Sequence, residues 1–214
     1  MRRLIYILPL LLLAACSAEA EPVVEEPVIA EEGITYDIDT STLDVPYLDY
    51  LNDTNPRIAI TFENYDPIIL ELFPDVAPLT VAQITRLVEI NFYDGIIFHR
   101  IIEGFMIQGG DPTGTGGGGS NEQIAGEFVN NGVPNRLRHW RGVMSMARSS
   151  EPNSASSQFF IVHQDANFLD GDYAAFGGVI QGFDTLDALA TVETSDQDRP
   201  LEDVVMLSVR LLER

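Results

Sequence analysis

The sequence predicts a mainly β domain with two helices, on two observations: many short runs carry strand patterns, and only two segments place apolar residues at helical spacing. This balance argues for a closed antiparallel barrel or a sandwich, since a parallel α/β sheet would alternate strands with helices.

The strand pattern begins at Arg57. Ile58, Ile60 and Phe62 alternate with Ala59 and Thr61, the period of a half-buried strand, and Ile68, Leu70 and Leu72 repeat it after a turn near Asn64 to Pro67. The pair predicts a hairpin. Pro78 then opens a helix in which Val81, Ile84, Leu87 and Val88 recur at helical spacing, because proline suits a first turn whose N–H groups have no partner. Short β-like runs follow at Gly95 to His99, Phe105 to Gln108, Gly142 to Ala147, Gln158 to His163 and Ala174 to Ile180. A second helix is expected from Asp184, its N-cap, with Phe183, Leu186 and Leu189 on one side. Val204 to Leu211 supplies a last strand.

The N-terminus has the layout of an export signal. Arg2 and Arg3 precede the apolar stretch Leu4 to Leu13, which is too short to span a bilayer comfortably. It ends in Leu13-Ala14-Ala15-Cys16, similar to a bacterial lipobox, and Cys16 is the one cysteine of the chain. Removal of residues 1–15 would leave Cys16 for lipidation, so the protein is expected to be extracytoplasmic and anchored to a bacterial membrane. Residues 16–54 are expected to form an acidic tether. Between Ser17 and Pro56 there are eleven Asp or Glu and no Lys or Arg, a composition that repels itself and stays extended. Tyr36, Leu43, Tyr47, Tyr50 and Leu51 give its later part enough apolar surface to dock on the domain or on a partner, although the composition favours a solvated linker ahead of a domain over residues 55–214. A domain cut at Asn55 is expected to keep its activity.

The 214 residues carry a formal net charge of −21, and all 12 basic residues are Arg. A nucleic acid partner is excluded on this ground, because binding to phosphates needs a cationic surface. The glycine run Gly114-Thr115-Gly116-Gly117-Gly118-Gly119 cannot be a P-loop in a chain without Lys, and reads as a flexible surface loop lining a groove. His99, His139 and His163 match no zinc spacing, so no metal and no cofactor is expected. A hydrolase built from Ser154 or Ser156 with His163 and Asp165 lacks the Gly-x-Ser-x-Gly elbow.

The most informative stretch is Phe98-His99-Arg100-Ile101-Ile102-Glu103-Gly104-Phe105-Met106-Ile107-Gln108-Gly109-Gly110-Asp111. Alternation puts Met106 and Gln108 on one face of a strand and Phe105 and Ile107 on the other, unless a bend near Gly104 intervenes. With Ser145-Met146-Ala147, Ser156-Ser157-Gln158-Phe159-Phe160-Ile161, Leu169-Asp170-Gly171 and Phe176-Gly177 in order, the chain from about Asn55 to Arg214 resembles the cyclophilins, and more particularly their bacterial branch.

The resemblance implies a closed eight-stranded antiparallel barrel capped by two helices, with an active groove on its outside, and a peptidyl-prolyl cis-trans isomerase that works as a monomer. It implies a catalytic set of Arg100, Gln108 and Phe105. Phe105, Met106, Phe160 and Leu169 would receive the substrate proline. Ala147, Arg148, Ser149 and Gln158 would hold the flanking peptide, with Gly114 in the loop beside them. Arg148-Ser149 stands where many members have Asn-Ala, while Phe168 and Tyr173 replace a frequent Trp and His and keep aromatics in the groove. The implied partners are proline-containing segments of exported proteins, whose folding the enzyme would assist. A module that merely holds such segments would not need Arg100.

Overall fold

A computed structural model of the chain describes Tyr36, Ile38 and residues 40–213, which belong to one compact unit beginning at Gly33. The segment expected to be an export signal, Cys16 and the early part of the expected tether lie outside the described residues.

The hairpin forms as the alternation predicts, with β1 (Arg57–Thr61) antiparallel to β2 (Ile68–Leu72) and Ile58 opposite Leu70. Helix α1 (Pro78–Glu89) follows with Pro78 in its first turn. No side chain next to the helix caps it. The carboxylate of Glu127 instead accepts from the N–H groups of Leu79 (3.0 Å) and Thr80 (2.8 Å), placing a negative charge where the helix dipole is positive.

Strands β3 (Ile97–Ile102), β4 (Met106–Gly109), β5 (Val143–Met146), β6 (Phe159–Val162) and β7 (Ala175–Gln181) come next, all within a residue or three of the expected runs. The second helix, α2, spans Phe183–Ala190 with Gly182 as N-cap, so Asp184 is not the cap but a first-turn acid. Gly182 takes that place because the chain leaves β7 at φ 95°, where a side chain is strained.

The last expected strand divides in two. Val204–Val205 (β8) pairs with β3, and Ser208–Leu211 (β9) pairs with β1. Between them Met206 bonds to Ile96 and Gly95, and Leu207 donates to Thr61. The result is one antiparallel sheet of nine strands, in the order β8-β3-β4-β6-β5-β7-β2-β1-β9, curled into an open half-barrel. This corrects the expected closed barrel of eight strands. A single short segment serves both edges and cannot pair with both along its whole length.

The main core lies inside the curl, where Ile107, Phe159, Ile161, Met144 and Phe176 meet Val81, Ile84, Leu87 and Val88 of α1 and Leu186 and Leu189 of α2. The outer face of β1 and β2 is also covered. Ala59, Ile69 and Ile180 are buried there against Tyr36, Ile38, Leu43 and Leu51, residues expected in a solvated linker. Tyr47 is fully buried and donates its hydroxyl to the Val179 carbonyl at 2.8 Å, while Tyr50 stacks on Phe73 at 5.7 Å. Burial pushes the Tyr47 phenol up, with Arg141 pulling it partly back, so the hydroxyl remains a donor. Glu71, buried in β2, receives Arg57 Nε at 2.8 Å, Asn55 Nδ2 at 2.9 Å and the Asn52 N–H at 2.7 Å. The later acidic segment is therefore part of the packed unit. Its Asp residues hid this, since they fall between apolar anchors that follow no simple period.

Candidate active site

Strand register builds the site. Arg100 of β3 pairs with Gln108 of β4, Gln108 with Phe160 of β6, and Phe160 with Ser145 of β5, which sets four side-chain positions in one cross-strand row. Alternation sends Ile107 and Ile161 into the core and turns Met106, Gln108 and Phe160 to the outer face. Phe105 precedes the strand, after a turn at Gly104 with φ 76°, and so faces the same cleft as Met106 rather than the core. The anticipated bend at Gly104 is what breaks the alternation.

A cleft of about 600 Å³ lies over this row. Its apolar floor is Phe105, Met106, Phe160 and Leu169; its other sequence-predicted walls are Arg100, Gln108, Gly114, Ala147, Arg148 and Tyr173. Ser149 and Gln158 line an adjoining hollow of about 420 Å³, which Gln108, Ala147 and Arg148 share with the first. Phe168 stands apart. It is 73% exposed, lines neither cavity, and packs on Phe105 at 5.3 Å between ring centres.

Gln108 donates its Nε2 to Gln158 Oε1 at 3.0 Å, and Gln158 in turn donates to the carbonyls of Gly116 (3.0 Å) and Gly118 (2.7 Å). This chain of amides fixes the Gln108 side chain and leaves the second N–H of its Nε2 without a partner among the described residues. Arg148 does more than the sequence suggested, because its side chain is a wall in its own right. Its guanidinium lies between the rings of Phe128 (5.0 Å) and Tyr173 (4.7 Å) and donates to the Asp172 and Ser149 carbonyls.

The glycine run is anchored, not free. Asp111, buried at its base, accepts the N–H groups of Thr113, Thr115, Gly116 and Gly118. Burial raises the Asp111 carboxyl, but these N–H groups and the Thr113 hydroxyl outweigh it and hold the group at about 2, from 3.8. A depressed pKa stabilises the fold above the unfolded value, and this stabilisation is lost as pH falls from 3.8 through about 2. Amide exchange protection at Gly116 and Gly118 should collapse across that window in the parent, whereas an Asp111→Ala variant, which leaves those N–H groups no side-chain acceptor, should lack the protection already at neutral pH. Equal protection in both proteins would show that the carboxylate does not anchor the loop.

Beneath the loop, His99 is buried and neither ring nitrogen has a partner among the described residues. Burial lowers its pKa, as do Arg199 and Arg100, against an opposing pull from Asp111, so the ring is neutral. Gly116 lies directly over it, at φ 82°, and a Cβ there would stand 3.4 Å from Nε2. His163 takes the Gly104 N–H at 3.0 Å and meets Asp187 at 3.1 Å. Among the described residues, no group of three or more His, Cys, Asp or Glu is placed to hold a metal.

His139, which the sequence marks as structural and not as a metal ligand, has a specific place in the fold. It forms a buried relay, with Nε2 2.9 Å from Ser145 Oγ and Nδ1 3.0 Å from Asp170, and stacks on Phe160 at 6.0 Å. Burial lowers its pKa against the pull of Asp170. The order resembles a hydrolase triad, but His139 and Ser145 are fully buried, so no substrate reaches the hydroxyl. The relay supports the floor of the cleft.

Sequence reasoning missed the side of the cleft formed between α2 and β8. Gln197 and Arg199 line it, Arg199 donates to the Gly114 carbonyl at 2.6 Å, and Asp198 meets Arg100 at 3.3 Å. These residues lie about a hundred positions beyond Arg100, and nothing in their own pattern marks them as neighbours.

A cation, an amide and an apolar recess lie together on the outer face of the curled β-sheet. Comparison with known proteins makes the class specific. The family model for cyclophilin type peptidyl-prolyl cis-trans isomerase/CLD matches residues 57–211. A putative bifunctional phosphatase/peptidyl-prolyl cis-trans isomerase of Streptococcus pyogenes is 37% identical over 86% of this chain, which spans about half (46%) of that longer protein. A peptidyl-prolyl cis-trans isomerase-like protein of Gibberella zeae is 44% identical over 68% of this chain and 89% of its own length. A crystal structure of a Cryptosporidium parvum cyclophilin type peptidyl-prolyl cis-trans isomerase, determined in the presence of the dipeptide Ala-Pro, superposes with a TM-score of 0.68 at 34% identity, covering 74% of this chain and 99% of that one. This chain belongs to the cyclophilin-type peptidyl-prolyl cis-trans isomerases.

Proposed function

We propose that the enzyme accelerates X–Pro rotation in exported proteins, assisting their folding as a monomer held to a bacterial membrane through Cys16. The observation that carries the catalytic part is the register row that sets Arg100 and Gln108 beside the recess of Phe105, Met106, Phe160 and Leu169. That a Cryptosporidium relative was crystallised in the presence of the dipeptide Ala-Pro is consistent with a proline-containing ligand.

Turning an X–Pro bond breaks amide resonance against a barrier of about 18 to 20 kcal/mol. In the twisted amide the proline nitrogen becomes pyramidal and regains a lone pair, which an Arg100 N–H meets. The contact is absent in the planar ground state, so it is differential binding of the kind that lowers a barrier. The apolar recess fixes the proline ring. Gln108 and the backbone at Arg148 hold the moving carbonyl side, and the recess favours the less polar twisted amide by excluding water. No bond is made or broken.

A protease-free isomerisation assay on a short X–Pro peptide tests the activity, and absence of turnover in the folded protein would refute it. The bacterial membrane reading rests on the arrangement of Arg2, Arg3, Leu4 to Leu13 and the lipobox-like Leu13-Ala14-Ala15-Cys16, and on a bacterial relative. Acyl chains contribute about 0.8 kcal/mol per buried CH₂, and two chains anchor stably. The expressed full chain should sediment with membranes and Cys16→Ala should not, or should remain uncleaved. Recovery of the parent as a soluble protein would remove the anchor from the proposal.

A further inference from the structure

We infer that Asp198 is a positioning residue for Arg100, holding its guanidinium so that two of its nitrogens face the cleft. The inference rests on the reading of Arg100 as the donor to the proline nitrogen.

Asp198 Oδ2 lies 3.3 Å from Arg100 Nε. No other hydrogen bond engages the Arg100 guanidinium among the described residues, so Nη1 and Nη2 remain for the substrate. Asp198 itself does not line the cleft, though both its chain neighbours, Gln197 and Arg199, do. A long side chain that is 42% exposed would otherwise sample many rotamers, and each productive encounter would have to order it again. Engagement at Nε fixes the plane of the group at its inner edge.

The backbone shows how firmly this carboxylate is presented. Asp198 has φ 61°, in the left-handed region that few residues other than glycine adopt, and Asn91 is its one non-glycine companion there among the described residues. Its carbonyl accepts the Ile101 N–H at 2.8 Å, clamping the loop to β3 one residue from Arg100. The loop is closed on itself by Ser195 N–H to Arg199 O (2.8 Å), Asp198 N–H to Ser195 O (3.0 Å) and the bridge between Thr194 and Pro200. Arg199 ties the same loop to Gly114 across the cleft. A well-tethered residue whose side chain makes one exposed ion pair among the described residues gains little stability from that pair, because such pairs stabilise a fold little. Placement of Arg100 accounts for it.

The test is a double-mutant cycle on the full chain, with kcat and KM from the peptide isomerisation assay. Glycine accepts φ 61° without strain, so Asp198→Gly removes the carboxylate while keeping the loop, and Asp198→Asn keeps both the backbone and an acceptor for Nε. Asp198→Gly should lower kcat about five- to tenfold with KM changed less than twofold, and Asp198→Asn should recover most of that loss. In an Arg100→Ala background Asp198→Gly should have no further effect. An Asp198→Gly protein within twofold of the parent would overturn the inference, and so would a loss of the same size in the Arg100→Ala background, which would show that Asp198 acts on the fold. Full turnover by Arg100→Ala alone would instead remove the donor reading on which the inference stands.

Discussion

Arg100→Ala should lose one to two decades of kcat/KM in peptide isomerisation while unfolding within a few degrees of the parent. The size follows from the contact proposed. A charge-assisted hydrogen bond contributes about 1.5 to 3 kcal/mol, and each 1.36 kcal/mol is tenfold in rate. The remaining barrier reduction belongs to the apolar recess and to Gln108, so residual turnover above the uncatalysed rate should survive. Stability should hardly move, because Arg100 is part-exposed and its one ion pair, to Asp198, is exposed too. Turnover by coupled-free peptide assay and thermal unfolding of the same preparation decide the matter. Full activity in the folded variant would refute the proposed mechanism, and loss of both activity and fold would assign Arg100 to structure.

Tyr47→Ala should lower stability by about 3 to 5 kcal/mol, the cost of truncating a large buried aromatic. For a domain of this size that is a fall in Tm on the order of 10 °C. Its ring lies against the backbone of Gly178, where even a Cβ would collide with it, and its hydroxyl bonds the Val179 carbonyl. The ring therefore occupies the space that a side chain at Gly178 would need. Tyr47→Phe should cost about 1 to 3 kcal/mol through the buried acceptor it leaves unpaired. A chain cut at Asn55 loses Tyr47, Tyr50 and Leu51 together with the Asn52 N–H on Glu71, and should be less stable than Tyr47→Ala. Every groove residue lies beyond Arg57, so the folded fraction of that truncation should keep its turnover. Urea unfolding of the three proteins checks the order, and a truncation as stable as the parent would mean that residues 36–54 contribute no packing.

The local patterns in the sequence determined much of the architecture. Alternation at Ile58 to Phe62 and Ile68 to Leu72, and the helical spacing from Val81 to Val88, specify elements because each depends only on residues a few positions apart. The cleft was legible for a different reason. Arg100, Gln108, Phe160 and Leu169 stand in ordered motifs that resemble one family, so their meeting in one place could be expected from the likeness, though not from any spacing.

Tertiary structure alone decided the rest. Whether Val204 to Leu211 is one strand or two depends on how both sheet edges approach it, and those edges, β3 and β1, come from sequence more than a hundred residues earlier. The composition of the acidic run favours an extended tether and leaves open whether its apolar residues dock, and the fold settles this for Tyr36, Ile38, Leu43, Tyr47 and Leu51, which find a complementary outer face on β1, β2 and β7. Composition reports average solvation, whereas docking depends on where a few side chains land. Asp198 shows the same limit at the site itself. An acid in a polar loop carries no sequence signal of its own, and only the fold brings its carboxylate to Arg100.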